Sequence, residues 1–381
     1  MTNKYDWNNI LNLCVTEIGD SGSWHALSRT LNIPRITLKD GLRREFGIES
    51  TEDIAKQSEQ PDDSLYGLFT QAARAIKAPE IEWPELVASD VTALVMLGDW
   101  HWGQKSEAHE MGEFGIYNPG IARQRMSQYF SELFDELIGA IDKYGRIDVR
   151  IVLLGDMLEG SLIRETQSNV ISSGVVTQML EFFAELATNI GELAANLDAT
   201  QITIMGVPGN HTRLTRSRAD VDPRETMDFA GYMYMQALLR EFKNVQFDIS
   251  ESWHAYTKIS RYGFYISHGD NVRAYQGLPA YGLIRMGHGI QSCMLIEDKA
   301  FARGDPDMPA SAIRFVDYVL LGHFHSENFI EDIDVEVIVN GSPTGTSQFA
   351  AKDLTRASRP SQTILYVNDS GVFATRKIFL R

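Results

Sequence analysis

Short runs of consecutive apolar residues, each stopped by glycine or a polar residue, recur along this chain. Residues 151–154, Ile-Val-Leu-Leu, are followed directly by Gly155 and Asp156. A run of this length that is partly β-branched and bounded by a breaker is typical of a strand buried on both faces of an α/β sheet. Four further runs share this design, at residues 91–97, 201–207, 264–267 and 315–321. The pattern therefore predicts five buried strands.

A longer amphipathic segment follows each of the first three of these strands. Residues 121–144 and 175–197 repeat apolar side chains at helical spacing, and residues 225–242 form a third such segment. Later in the chain, further strands follow one another mostly without helices, at residues 245–249, 254–259, 335–340, 363–367 and 372–379. A chain of this kind is expected to form an α/β fold of mixed sheets stacked on each other, with helices outside.

The length of 381 residues is large for a single core, so we expect two domains. Residues 1–78 are predicted to form a small helical domain and a linker, and residues 79–381 the main α/β domain. Only two cysteines are present, Cys14 and Cys293, which excludes a disulfide framework and a thiolate metal site. No run reaches the roughly 18 to 20 apolar residues of a membrane span, so a cytoplasmic protein without a membrane partner is expected.

The N-terminal segment has a pattern of its own. Residues 24–30 and 36–46 are predicted helices around a break at residues 31–34, and the apolar spacing fits a helix-turn-helix. The second helix carries the cations that would meet DNA phosphates and base edges, namely Arg35, Lys39, Arg43 and Arg44. A helical hairpin that packs on another domain is the alternative. A net charge of −16 argues against nucleic-acid binding over the whole surface, but not against such a local patch.

Polar residues follow all five buried strands. They are Asp99 and His101 after the first, Asp156 after the second, Asn210 and His211 after the third, His268 after the fourth, and His323 and His325 after the fifth. Ligands of open α/β sheets gather beyond the carboxyl ends of the strands, so we expect these side chains to converge. Any single histidine could be an ordinary buried residue bonded to a carbonyl. Five of the nine histidines at strand ends make that reading improbable.

The ordered motifs Asp-x-His, Gly-Asp, Gly-Asn-His, His and Gly-His-x-His resemble the calcineurin-like metallophosphoesterase superfamily, from about residue 91 to residue 379. The resemblance implies a four-layer α/β/β/α fold with two metal ions. In this family pattern Asp99, His101 and His325 would bind one metal, and Asn210, His268 and His323 the other. Asp156 would bridge the two metals, and His211 would be the catalytic acid.

One position departs from the family pattern. An acidic residue usually follows Gly-Asn-His and orients the histidine, whereas this chain has Thr212. The resemblance therefore does not say what orients His211.

Imidazole, carboxylate and amide ligands suit Mn²⁺, Fe²⁺ or Zn²⁺, with Mn²⁺ the first choice and Mg²⁺ a further candidate. Two cations about 4 Å apart that share Asp156 and a water would turn this water into hydroxide near neutral pH. His211 would then protonate the leaving oxygen.

Three loops are candidates for substrate contacts. One of them, at residues 340–362, is rich in glycine, serine and threonine and carries Lys352, Arg356 and Arg359. The loop after His211 carries Arg213, Arg216, Arg218 and Arg224, whose guanidinium groups could bind flanking phosphates. Asp220 and Asp222 in the same loop offer the alternative of internal ion pairs. A glycine-containing insertion near residues 270–312 is predicted to form a cap, or else a dimer contact in a homo-oligomer.

The leading hypothesis is a metal-dependent phosphodiesterase that cleaves DNA, similar to the repair exonucleases of this superfamily. Its basis is the combination of a helix-turn-helix-like segment with a two-metal centre. A phosphatase or cyclic-nucleotide phosphodiesterase for small substrates is the enzyme alternative, which the acidic net charge favours. A DNA-binding regulator with a vestigial metal site is the third reading, against which the complete set of ligands speaks.

Overall fold

The computed structural model describes residues 10–11, 13–14, 27–28, 31, 33–46, 48, 50, 54, 88–107, 116–197, 200–217, 221–272, 279–304, 315–332, 335–345 and 358–381, with the backbone alone for 295–304. The chain forms two compact units, Met1–Thr70 and Gln71–Arg381. The predicted boundary after residue 78 stays a prediction, because residues 55–87 lie outside the described part.

The first unit contains helix α1, Arg35–Phe46, which confirms the predicted helix at residues 36–46. Its buried residues Leu38 and Leu42 join a small core with Leu27 and Ile33. The Oγ of Ser28 donates to the carbonyl of Ile33 at 2.7 Å and fixes the chain just before α1. The full helix-turn-helix stays a prediction, because residues 15–26, 29, 30 and 32 lie outside the described part.

The second unit contains four described helices and eleven strands. The helices are α2 (Pro119–Tyr144), α3 (Val175–Asn196), α4 (Met227–Leu238) and α5 (Ala280–Gly304). The strands are β1 (Ala88–Leu97), β2 (Arg146–Leu153), β3 (Ile202–Gly206), β4 (Val245–Ile249), β5 (His254–Ile259), β6 (Tyr262–Ser267), β7 (Tyr318–Leu321), β8 (Asn328–Glu331), β9 (Glu336–Val339), β10 (Ser361–Asn368) and β11 (Gly371–Phe379). None of the helices in the described part is both long and apolar enough to cross a membrane.

The strands form two sheets. The first has the order β11-β10-β1-β2-β3-β4, and the second β5-β6-β7-β9-β8. Strands β1 to β4 are parallel neighbours, and so are β6, β7 and β9. Because parallel neighbours end at the same edge of a sheet, the segments after β1, β2 and β3 lie together, as do those after β6 and β7.

Both faces of the first sheet are buried at the carboxyl-terminal ends of β1 and β2, which explains why residues 93–97 and 151–153 read as continuous apolar runs. Alternate residues of β1, such as Val95 and Leu97, pack against helices α2, α3 and α4. The residues between them, Leu94 and Met96, face the second sheet and meet Phe264 there. Successive side chains of β1 thus point to opposite faces of the sheet. The sequence does not show this alternation at residues 94–97, because the residues on both faces are apolar.

The outer face of the second sheet is covered by α5. Leu283 and Met294 of this helix are buried with Val337 and other residues of the sheet. A Cβ added to Gly287 would lie 2.8 Å from Val335, so this glycine allows the helix to approach the sheet closely. The order of layers is therefore helix, sheet, sheet, helix, and the predicted α/β/β/α fold is confirmed. The cap predicted near residues 270–312 stays a prediction, because residues 273–278 and 305–314 lie outside the described part.

The contact between α3 and α4 gives a stability prediction with a matched control. A Cβ on Gly231 would lie 1.9 Å from the ring of Phe183, so Gly231→Ala forces two helices apart and should destabilise the protein by about 1–3 kcal/mol. Gly139 of α2 has nothing within 4 Å of the same position. Gly139→Ala should therefore leave stability unchanged or raise it by up to about 1 kcal/mol, since alanine favours a helix. Denaturant unfolding of both variants measures this, and equal effects would contradict the packing.

Candidate metal centre

The loops that follow β2 and β3 touch backbone to backbone, and glycine allows this contact. A Cβ on Gly155 would lie 2.3 Å from the nitrogen of Gly209, and one on Gly209 would lie 2.1 Å from Oδ1 of Asp156. No side chain fits at either position. The glycines before the polar residues thus bring Asp156 and Asn210 next to each other.

Left-handed backbone conformations are concentrated at the predicted ligands. Six non-glycine residues in the described part have positive φ, and five of them are predicted metal ligands, namely Asp99, His101, Asp156, His323 and His325, with φ between 43° and 67°. Such conformations are costly for residues with a Cβ and persist where the surrounding structure imposes them. The chain therefore bends sharply after β1, β2 and β7, where these polar side chains turn into the site.

Asp99, His101 and His325 form the first group of candidate ligands. The Nε2 atoms of His101 and His325 lie 3.0 Å apart. Oδ1 of Asp99 lies 3.4 Å from Nε2 of His325 and 3.9 Å from Nε2 of His101. Asp99 is fully buried, and its carboxylate also accepts the backbone N–H of His323 at 2.9 Å. The structure thus brings together the three residues predicted for one metal.

Asp156, His268 and His323 form the second group. Nε2 of His268 lies 3.0 Å from Oδ2 of Asp156 and 3.1 Å from Oδ1 of Asn210. Burial and the nearby His268 lower the pKa of His323 to about 3, so this imidazole is neutral, as a metal ligand must be. The residues predicted for the second metal therefore also meet.

The carboxylate of Asp156 lies between the two groups. Its Oδ1 accepts the backbone N–H of His211 at 2.7 Å. Its Oδ2 lies 3.0 Å from Nε2 of His268 and 4.0 Å from Nε2 of His101, and thus faces both groups. This placement is the one that a bridging ligand needs.

The histidines are oriented as metal-binding histidines are. Nδ1 of His101 lies 2.9 Å from Oε2 of Glu159, and Nδ1 of His268 lies 2.8 Å from the carbonyl oxygen of Leu154. These oxygens hold Nδ1 and leave Nε2 directed at the carboxylates, as in metal sites where a second group fixes the ring. The residues present therefore fit divalent cations of the kind that accept imidazole and carboxylate ligands.

The charged groups of the site shift one another's pKa values strongly. Burial lowers the pKa of a histidine, yet the charge of Asp156 outweighs burial and raises the pKa of His268 to about 10. Burial likewise raises the pKa of a carboxyl, but His268 and His211 hold the pKa of Asp156 well below its usual range. This pocket strongly attracts positive charge.

Glu159 lies beside His211 and supplies the acidic neighbour that Thr212, the residue after Gly-Asn-His, does not provide. Its side chain is 1% exposed, and its Oε2 lies 3.3 Å from Nδ1 of His211, whose other neighbour is the Glu159 carbonyl oxygen at 3.1 Å. Burial would lower the pKa of His211, but Glu159 and Asp156 raise it to about 9. His211 is therefore held in its protonated form by an acidic residue other than the one after Gly-Asn-His.

The arginines of the loop after His211 differ in placement. Arg213 is 5% exposed, and its Nε donates to the carbonyl of Asn210 at 3.0 Å, so it supports the loop from inside rather than facing solvent. Arg216 is exposed and lies 3.5 Å from Glu165. Arg218 lies outside the described residues. The substrate role of these three stays a prediction.

The sequence analysis missed three charged residues around the site. Glu159 is the first. Arg164 is half-exposed, and its Nη2 donates to Oε1 of Glu159 at 2.9 Å. Asp228, at the start of α4, is fully buried, and burial together with Asp156 raises its pKa to about 7. The one available signal for Glu159 was its position directly after the apolar residues Met157 and Leu158, because a buried carboxylate needs a partner.

On α1, the cations Arg35, Lys39, Arg43 and Arg44 are all exposed, and Leu38 and Leu42 are buried. The spacing of four residues places Arg35, Lys39 and Arg43 in one stripe along the helix. Their DNA-binding role stays a prediction.

Together, the four layers and the polar residues at the strand ends agree with the fold that the resemblance to the calcineurin-like metallophosphoesterases implies. No family model matches the chain. It is similar to the SPbeta prophage-derived uncharacterized protein YonJ of Bacillus subtilis, with 20% identity over 285 residues that cover 73% of this chain. The chain spans 62% of the length of that relative.

Several solved structures are similar to the chain over 76% of its length. They include Vps29 of Entamoeba histolytica complexed with Zn²⁺, at 14% identity, 99% coverage of that chain and a TM-score of 0.31. An archaeal phosphodiesterase is similar at 13% identity, with 99% of that chain covered and a TM-score of 0.31. A predicted phosphoesterase of Streptococcus pneumoniae is similar at 10% identity, with 98% of that chain covered and a TM-score of 0.24. At such values the fold assignment rests on the chain's own layers and ligand order.

The contact between Glu159 and His211 gives a prediction for the metal-free protein. Glu159→Gln removes a charge that raises the pKa of His211, so this pKa should fall and the imidazolium should lose its proton at lower pH than in the wild type. An NMR titration of the His211 ring measures it. Glu165→Gln, an exposed carboxylate on the same loop, is the control and should change little. An unchanged pKa in Glu159→Gln would contradict the assigned contact.

Proposed function

We propose that this protein is a metal-dependent phosphodiesterase and that its substrate is DNA. The hydrolytic part rests on one observation, the placement of Oδ2 of Asp156 between two groups of buried or half-buried candidate ligands with His211 alongside. Asp99, His101 and His325 would hold one divalent cation, and Asn210, His268 and His323 the other, with Mn²⁺ the first choice. When bound, such a pair of cations supplies an activated water and offsets charge on the phosphoryl oxygens.

The residues of the chain itself account for the proton. Burial would lower the pKa of His211, but Glu159 and Asp156 raise it to about 9, which favours a proton on each ring nitrogen, and Nδ1 is engaged by Glu159. Nε2 is then the atom that can give its proton to the leaving oxygen. Arg164 bonds to the same Glu159 and is half-exposed, so its guanidinium group is available to a phosphate oxygen near His211.

DNA is proposed as the substrate because of the charge on α1. Four basic residues and two acidic ones lie on this helix, whereas the whole chain carries a net charge of −16. An exposed cationic stripe on an otherwise acidic protein is the electrostatic pattern that favours a local contact with a phosphate backbone. Ile36, 72% exposed on the same helix, adds an apolar side chain that can contact a thymine methyl group.

The acid role of His211 is tested with two substrates. His211→Ala should retain both metals and reduce turnover of a dinucleotide by about 10²- to 10⁴-fold, because the alkoxide leaving group needs a proton. Hydrolysis of bis-p-nitrophenyl phosphate should suffer less, since p-nitrophenolate leaves without one. Steady-state rates with Mn²⁺ measure both. Equal losses on the two substrates would remove His211 from the acid role.

The DNA contact is tested in the full chain with a matched charge control. The triple variant Arg35→Ala, Lys39→Ala, Arg43→Ala should weaken DNA binding and reduce the slope of log affinity against log salt by up to about three, because each phosphate contact releases roughly one counterion. The control removes three exposed cations of the other unit, Arg240, Lys243 and Lys258, and should keep the wild-type slope.

Both triple variants should hydrolyse bis-p-nitrophenyl phosphate normally, because no ligand of the proposed metals is changed. If the α1 variant binds and cleaves duplex DNA with the wild-type salt slope, α1 does not contact DNA. Cleavage of small diesters without any cleavage of DNA would instead favour the small-substrate phosphodiesterase.

A further inference from the structure

Asp228 is a buried carboxylate whose partners are backbone N–H groups of the two neighbouring ligand loops. Its Oδ2 accepts from the nitrogen of Asp156 at 3.0 Å and from that of Gly209 at 2.9 Å. Its Oδ1 accepts from the nitrogen of Met157 at 3.3 Å. One side chain thus binds the loop of Asp156 and the loop of Asn210 at the same time.

These N–H groups have a particular need for such a partner. They lie just beyond the ends of β2 and β3, where the ladder that would otherwise accept them has stopped. A buried N–H without an acceptor is costly, so a carboxylate that accepts three of them fixes the conformation of both loops. The bend at Asp156, with φ of 51°, is held in this way from behind.

Helix α4 holds Asp228 rigidly against the same two strands. Thr226 caps the helix by accepting the N–H of Phe229, and the nitrogen of Met227 donates to the carbonyl of Thr212 at 3.0 Å. One turn further on, the hydroxyl of Tyr232 donates to the carbonyl of Val207 at 2.9 Å. The helix is therefore anchored on both sides of Asp228, and the first turn of a helix favours a carboxylate.

We propose that Asp228 is the positioning residue of the metal centre, which sets Asp156 against Asn210 without being a metal ligand itself. It acts through the backbone, since its carboxylate bonds to the nitrogen of Asp156 and leaves the Asp156 carboxylate free for His211 N–H and the ligands. This inference rests on the proposed metal-binding function. In this proposal, Asp228 of α4 sets the distance between Asp156, the bridging ligand, and the second group of ligands.

Asp228→Asn tests this role, because an amide has the same shape but offers one acceptor oxygen and places an NH₂ group among N–H donors. Asp317→Asn is the matched control. Asp317 also accepts a backbone N–H, that of Gly263 at 2.7 Å, but at the amino end of β6, away from His268. Both variants are titrated with Mn²⁺ by calorimetry, and their Mn²⁺-loaded forms are compared by electron paramagnetic resonance.

Asp228→Asn is expected to bind at least one Mn²⁺ about 10- to 100-fold more weakly and to lose the spectrum of a coupled pair. Asp317→Asn is expected to match the wild type in both. If Asp228→Asn folds and binds two Mn²⁺ with wild-type affinity and the same spectrum, the proposal is overturned.

A measurement on the wild type covers the case in which Asp228→Asn does not fold. In the metal-free protein, the amide hydrogens of Asp156, Met157 and Gly209 should be protected from exchange, because Asp228 and not a metal holds them. Rapid exchange of these amides would overturn the proposal. Amide exchange in the metal-free protein also distinguishes the role of Asp228 from the proposed metal-dependent function. A wild-type protein that binds no Mn²⁺ would sink the proposed function, and the exchange of these amides would still decide whether Asp228 fixes the loops.

Discussion

The burial of the Asp156 carboxylate is the constraint on which the rest of the candidate metal centre depends. An isolated charge in a protein interior costs several kcal/mol, so a buried carboxylate persists only with strong partners. Asp156 is 1% exposed and has the N–H of His211 on one oxygen and the imidazole of His268 on the other. A second buried carboxylate, Asp99, lies close enough to act on the same histidines. Such a concentration of negative charge is stable only where cations or imidazolium groups offset it.

This constraint accounts for features that are otherwise unconnected. Glycines at positions 155 and 209 allow the loops to approach until their backbones touch. Five predicted ligands adopt left-handed conformations because the chain turns at once after β1, β2 and β7 to direct their side chains inward. The two stacked sheets then serve as a rigid frame, since their parallel strands β1, β2 and β3 on one side and β6 and β7 on the other deliver all the ligands to one place.

The sequence was sufficient to predict stacked sheets with helices outside, because buried strands and amphipathic helices leave a local pattern. The polar residues after those strands meet in the structure, and their role as metal ligands stays a prediction. Glu159 left almost no local pattern, since its partner His211 is 52 residues away and no periodicity links them. Arg213 was expected to face a substrate, but whether a side chain turns inward to Asn210 depends on packing that the sequence does not display. Helix α5 was hidden by its glycines, which disfavour a helix until contacts with β9 compensate. Helix α1 was predicted from the spacing of its apolar residues, but that spacing alone does not tell what the helix binds.

Anomalous diffraction from crystals equilibrated with Mn²⁺ would show whether Asp156 joins two divalent cations. We expect two anomalous peaks about 4 Å apart, one beside Asp99, His101 and His325, the other beside Asn210, His268 and His323, with the carboxylate of Asp156 touching both. A single peak that Asp156 does not contact, or none at saturating Mn²⁺, would contradict this expectation.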